Sequence, residues 1–108
     1  MNKEMKFLMY STPQGDVNVE AVVRDETLWL TQKAMAQLFV VQVPAISKHL
    51  KNIYAEGELL ESTTISKMET VVQRGFRGGV EEMVDFYNLD AIISVGLIKL
   101  LQYYVTEN

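Results

Sequence analysis

The chain has no cysteine and a single histidine among its 108 residues. The first absence excludes a disulfide framework, a thiolate zinc site and a cysteine nucleophile. The second leaves His49 alone beside Lys48, with no ligand cluster at helical or hairpin spacing, so no metal site is expected and His49 is read as partly buried at a helix edge. Positive charge is not in excess either. The net charge of −4 at pH 7 argues against a non-specific coat on nucleic acid. No apolar run reaches the length of a membrane span, and the start, MNKEMKF, is too polar for a secretory leader. A cytoplasmic location with no membrane partner is the expectation. Catalytic machinery is also missing. The nearest carboxylates, Glu56, Glu58 and Glu61, read as a solvated loop, and RGFRGG at 74–79 lacks both the GxGxxG spacing and the Walker lysine. No enzyme and no cofactor is expected.

What is present is ordinary globular composition, 48% hydrophobic and 22% charged, sufficient for one modest core in a single domain over residues 1–108. The most informative stretch is TQKAMAQLFVVQVPAISKHLKNIY, Thr31 to Tyr54, where two short amphipathic helical patterns meet across a four-residue break. In the first, Ala34, Met35, Leu38 and Phe39 recur at three- and four-residue spacing. Thr31 is a suitable N-cap, and Leu30 is spaced to pack on Met35 as a hydrophobic staple. The second pattern opens at Pro44, whose fixed φ suits the first helical position and whose bulk pushes Val43 into an extended conformation. Ile46, Leu50 and Ile53 form its apolar face, leaving Ala45, Ser47, Lys48, Lys51 and Asn52 on the polar side. Small, hydrogen-bonding and cationic side chains are the set a recognition helix offers to a major groove. In the break, Val40-Val41 occupies the place where such turns commonly carry Gly. Either the turn takes another geometry, or Val40 accepts a strain of about 1 kcal/mol.

Around this pair the periodicity changes. Lys6 to Ser11 is a short apolar run, Pro13-Gln14-Gly15-Asp16 is a turn signal, and Val17, Val19, Ala21 and Val23 alternate with polar residues, which predicts an N-terminal β-hairpin. Asp25-Glu26 turns the chain again, and Thr27 to Leu30 forms a short strand in which Trp29 is expected to join the sheet to the first helix. Gly57 is placed as a helix stop. Strand patterns then resume at Thr64 to Val72 and at Val80 to Tyr87. Between them RGFRGG has the form of a wing, on which Arg74 and Arg77 are candidate DNA contacts with Phe76 as an apolar contact. The last element starts at an Asn88 cap and is apolar on nearly every face. That surplus predicts either a homodimer interface or further chain that covers it. Gly96 inside it is expected to be a kink or a point of close packing. The fold class is therefore α+β, a winged helix-turn-helix preceded by a β-hairpin and followed by an apolar helix.

Three blocks, LWLTQKAMAQLF, ISKHLKNIYAEGEL and FYNLDAIISVG, resemble in this order the N-terminal region of the virulence-associated RhuM family of bacterial proteins, over roughly residues 7 to 96. The layout is also similar, more loosely, to the N-terminal domains of phage antirepressors. The RhuM family is associated with virulence loci and mobile elements, and the resemblance implies a DNA-binding protein in transcription regulation. The chain departs from the family at Val40, where relatives carry a residue better suited to a turn. It departs again after Gly96, where LIKLLQYYVTEN replaces the family's longer continuation, so truncation after about residue 96 is expected.

Two function classes follow. The first is a regulatory domain that contacts double-stranded DNA through the recognition helix at 44–54 and the wing at 74–79. Between Gln42 and Gly79 the basic residues Lys48, Lys51, Lys67, Arg74 and Arg77 nearly balance Glu56, Glu58, Glu61 and Glu69, so any DNA-binding face must be local. The alternative is a protein-interaction module that uses the same scaffold and the apolar last helix.

Overall fold

The computed structural model describes residues 4–12, 15–73, 75 and 78–107, with side chains described over 19–71, at 75 and over 78–102. Alternating apolar residues in the first thirty positions produce β1 (Glu4–Thr12), β2 (Gly15–Arg24) and β3 (Thr27–Leu30), each antiparallel to the next. Gly15 and Asp16, expected in the turn, are instead the first residues of β2 and pair with Thr12 and Ser11, because the ladder continues to the chain reversal itself. Pro13 and Gln14 lie outside the described residues. Asp25 and Glu26 do turn the chain. Both have positive φ, 55° and 61°, the pattern of a type I′ turn whose twist matches that of the strands it joins.

The helical pair forms as the periodicity requires. In α1 (Gln32–Phe39) the Thr31 hydroxyl accepts a hydrogen bond from the Ala34 N–H at 3.0 Å, and Leu30 and Met35 enter the same core cluster. The helix ends at Val40, which is left-handed with φ 55° and ψ 53°. The Ala36 carbonyl accepts from the N–H groups of both Val40 and Val41, the second being the six-to-one bond of a Schellman closure. Val40 therefore accepts the strain, and its exposed side chain offers no packing in return. In α2 (Val43–Ala55) the extended residue is Gln42, φ −84° and ψ 152°, and not Val43 as expected. Val43 is the first helical residue and Pro44 the second, a placement that the first turn tolerates because its N–H groups have no intrahelical acceptor. The other end is as read. Gly57 has φ +76°, its N–H bonds to the Tyr54 carbonyl, and the Glu58 N–H bonds to the Ile53 carbonyl. One element was not anticipated, the single helical turn α3 (Glu61–Thr64), which precedes β4 (Ile65–Gln73).

β4 and β5 (Gly79–Asn88) form a long antiparallel hairpin, and α4 (Leu89–Glu107) follows directly. The architecture is α+β, with a five-stranded sheet in the order β1-β2-β3-β5-β4. Because successive strand residues face opposite ways, the sheet carries two clusters. Val19, Ala21, Leu30 and Tyr87 pack beneath Met35, Ile46, Leu50, Ile53, Ala91 and Val95 of the helices. Val22, Trp29, Met68 and Phe86 pack on the other side. Trp29 is thus a core residue but does not join the sheet to α1. That role falls to Leu30, its neighbour of opposite parity. The Trp29 indole N–H donates to the Arg24 carbonyl at 3.0 Å, while the Arg24 guanidinium lies 5.4 Å over the ring and donates to Ser66 Oγ at 2.6 Å. Asn88 caps α4 as expected, accepting from the Ala91 N–H at 3.3 Å. Gly96 is a close-packing point, since a Cβ there would stand 3.2 Å from the Phe39 ring.

The left-handed Val40 yields a stability prediction. Val40→Gly removes the clash of a β-branched side chain at positive φ and should stabilise the chain by about 1 kcal/mol. Urea unfolding should show this as a higher midpoint with an unchanged slope; an unchanged or lower midpoint would contradict the strain.

Candidate nucleic-acid interface

α2 buries Ile46, Leu50 and Ile53 in the core it shares with α1 and α4, which determines what it shows to solvent. At about 100° per residue, Ser47, Lys51, Lys48, Asn52 and Ala45 fall in that angular order across an arc of about 160° opposite the buried stripe. Lys48, Lys51 and Asn52 are exposed, and Ser47 and Ala45 are half-buried at the two margins. The five α2 residues named from the sequence therefore share one surface. His49 is half-buried at the helix edge. Arg74 and Arg77, the wing candidates, lie outside the described residues, as does Phe76. Gly75 and Gly78 beside them have φ +58° and +80°.

The electrostatics differ sharply between the two elements. Among the described residues, neither Lys48 nor Lys51 has an ion-pair partner, so both charges face water and are available to an anion. The described part of the hairpin is acidic instead, carrying Glu69, Glu81, Glu82 and Asp85 against Lys67. Lys67 Nζ meets Asp85 Oδ1 at 2.8 Å, a contact that pushes the lysine pKa up and leaves its charge committed to a carboxylate. Glu81 and Glu82 lie beyond the segment balanced in the sequence reading. They come next to β4 through Val71↔Glu81 and Thr70↔Glu82 pairing.

The C-terminal end of α2 is held by groups with no periodic signal. Thr64, a buried residue of α3, donates its hydroxyl proton to the Leu60 carbonyl at 2.7 Å and so accepts from the Tyr54 hydroxyl at 2.8 Å. Tyr54, Lys51, Ala55, Leu59, Leu60 and Glu61 line an open groove of about 430 Å³. With one lysine and one glutamate among mostly apolar lining residues, it does not make a convergent binding site. At the other end of the helical pair, Gln32 Nε2 donates to the Tyr87 hydroxyl at 2.9 Å. Among the described residues no group of three potential metal-ligating side chains comes together, and no helix is long and apolar enough to cross a membrane. No family model, curated protein or solved structure matches the chain.

The two anchoring phenols carry a pH prediction. Burial raises the pKa of Tyr54 above the ordinary value of 10.0, and burial likewise raises Tyr87 against the effect of Gln32. The folded state then holds protons that the unfolded state releases above about pH 10, so stability is intact below that pH and falls as pH rises through the folded values. Urea midpoints measured from about pH 9 to about pH 11 should decline, and a Tyr54→Phe/Tyr87→Phe variant should decline less steeply.

Proposed function

We propose that the chain is a DNA-binding domain of winged helix-turn-helix type, with α2 as the recognition helix. The observation that carries this reading is the exposed arc of α2, where the unpaired Lys48 and Lys51 stand beside Asn52 and Ser47. Topology supports it. β3 leads into α1 and α2, the chain returns as the β4–β5 hairpin, and β5 pairs with β3, so the hairpin lies in the same sheet that supports the helical pair. The resemblance to the RhuM family points the same way.

On this reading the lysines neutralise phosphates and set the register, while Asn52 and Ser47 read base edges and the small Ala45 admits the helix close to a thymine methyl. The acidic flanks of the hairpin hold its strands away from the backbone, which leaves only its loop, with Arg74 and Arg77, as a further contact. A net charge of −4 with a local cationic arc corresponds to modest affinity that depends on correct docking.

Fluorescence anisotropy with mixed-sequence duplex DNA across a salt series tests the proposal. With about three to five phosphates engaged, log affinity against log salt should fall with a slope of about −2.7 to −4.5, and Lys48→Ala/Lys51→Ala should reduce that slope by about 2. Absence of binding at low salt, or binding that the double variant retains unchanged, would overturn it.

A further inference from the structure

We infer that the outer edge of β4 joins two copies of this chain, each β4 pairing antiparallel with the other about a two-fold axis at Met68. Among the described residues β4 pairs with β5 alone and ends the sheet, so its outer N–H and C=O groups have no strand beside them. Edge strands that stay single are ordinarily short, bulged or interrupted by proline. β4 is nine residues long, contains neither proline nor glycine, and keeps an unbroken register with β5 from Ile65 to Gln73. The occupant that fits such an edge is another extended strand.

The order of residues in β4 indicates that this strand is the β4 of a second copy. Opposed residues of a continuous sheet point to the same side, and side chains alternate along each strand, so two identical strands meet only with the axis at a residue. Lys67 and Glu69 decide which residue. An axis at either of them sets like charges against each other, and an axis at Ser66 or Thr70 sets a charge against Ile65 or Val71. An axis at Met68 sets Lys67 opposite Glu69, and it also matches Ser66 with Thr70 and Ile65 with Val71. The segment ISKMETV therefore has the same chemical order from either end.

The protomer leaves these groups ready for such pairing. Lys67 donates to Asp85 at 2.8 Å, and its ammonium carries two further protons, so in the dimer it lies between Asp85 and the partner's Glu69. Val71, 61% exposed in the protomer, is covered by the partner's Ile65. Roughly six to eight backbone hydrogen bonds carry the contact, and the charges select the register. The inference rests on β4 alone and holds whether or not α2 meets DNA.

Sedimentation equilibrium of the full chain, from micromolar to hundred-micromolar concentration, should give a mass rising towards twice that of the protomer. Lys67→Glu opposes Glu with Glu, and Glu69→Lys opposes Lys with Lys, so each variant alone should associate about tenfold more weakly, with an unchanged far-UV circular dichroism spectrum. An equimolar mixture of the two variants should recover the association of the parent, because each then meets its opposite charge. A role confined to the protomer would give no recovery on mixing. A second measurement does not depend on the charge variants. The chain has no cysteine, so Val71→Cys carries a single nitroxide, and the register places the two copies of this position about 20 Å apart, which dipolar coupling reads. A monomer throughout, association that neither charge variant weakens, a mixture no stronger than its components, or the absence of coupling at this separation would each overturn the proposal.

Discussion

Two residue pairs hold the two parts of the sheet together. Among the described residues, β3 meets β5 only through Trp29↔Asn88 and Leu30↔Tyr87, and this short ladder joins the β1–β2–β3 meander to the β4–β5 hairpin. Each of the four residues has a second task at the same point. Leu30 enters the helical core just ahead of the Thr31 cap, and Tyr87 lies beneath the helices and receives the Gln32 amide. Trp29 anchors the opposite face with Phe86. Asn88 caps α4 and donates to the Thr63 carbonyl at 3.3 Å. The entry to α1, the start of α4 and the position of α3 therefore depend on one ladder, and a shift of one residue there would exchange the contents of the two faces.

This arrangement explains how a chain with net negative charge presents a cationic surface. α2 is buried along one stripe only, so its lysines face outward together, while Glu69, Glu81, Glu82 and Asp85 are carried on the strands of the hairpin. The sum of charges says little about such a molecule. The location of the α2 charges is set by which stripe of the helix α1 and α4 bury.

The parts legible in the sequence are those governed by local chemistry. Thr31, Asn88 and Gly57 act as caps where their side chain or lack of one predicts it, and Ile46, Leu50 and Ile53 are buried as their spacing requires. The misreadings share a cause. The rule for residues before proline places Val43 in the turn, but the first helical turn absorbs Pro44 at its second position. Trp29 is in the core as expected, but its parity on β3 turns it to the sheet face opposite α1. α3 and the Tyr54–Thr64 contact had no periodic signal because a single turn is too short to carry one. Val40 was legible as a conflict between residue and turn, and the structure resolves it on the side of strain, since the backbone hydrogen bonds that close α1 outweigh the cost at one exposed side chain.

The sequence by itself determined the longer elements, the caps at Thr31, Gly57 and Asn88 and the set of polar residues on α2, because each depends on neighbours within a few positions. Only the tertiary structure decided which of two apolar sides of α4 is used within the protomer, and that β5 lies beside β3 with its acidic residues on the hairpin. Those outcomes depend on contacts between residues far apart in the chain, such as Leu30 with Tyr87 and Phe39 with Gly96. Periodicity cannot choose between two faces that are both apolar; packing against the sheet does.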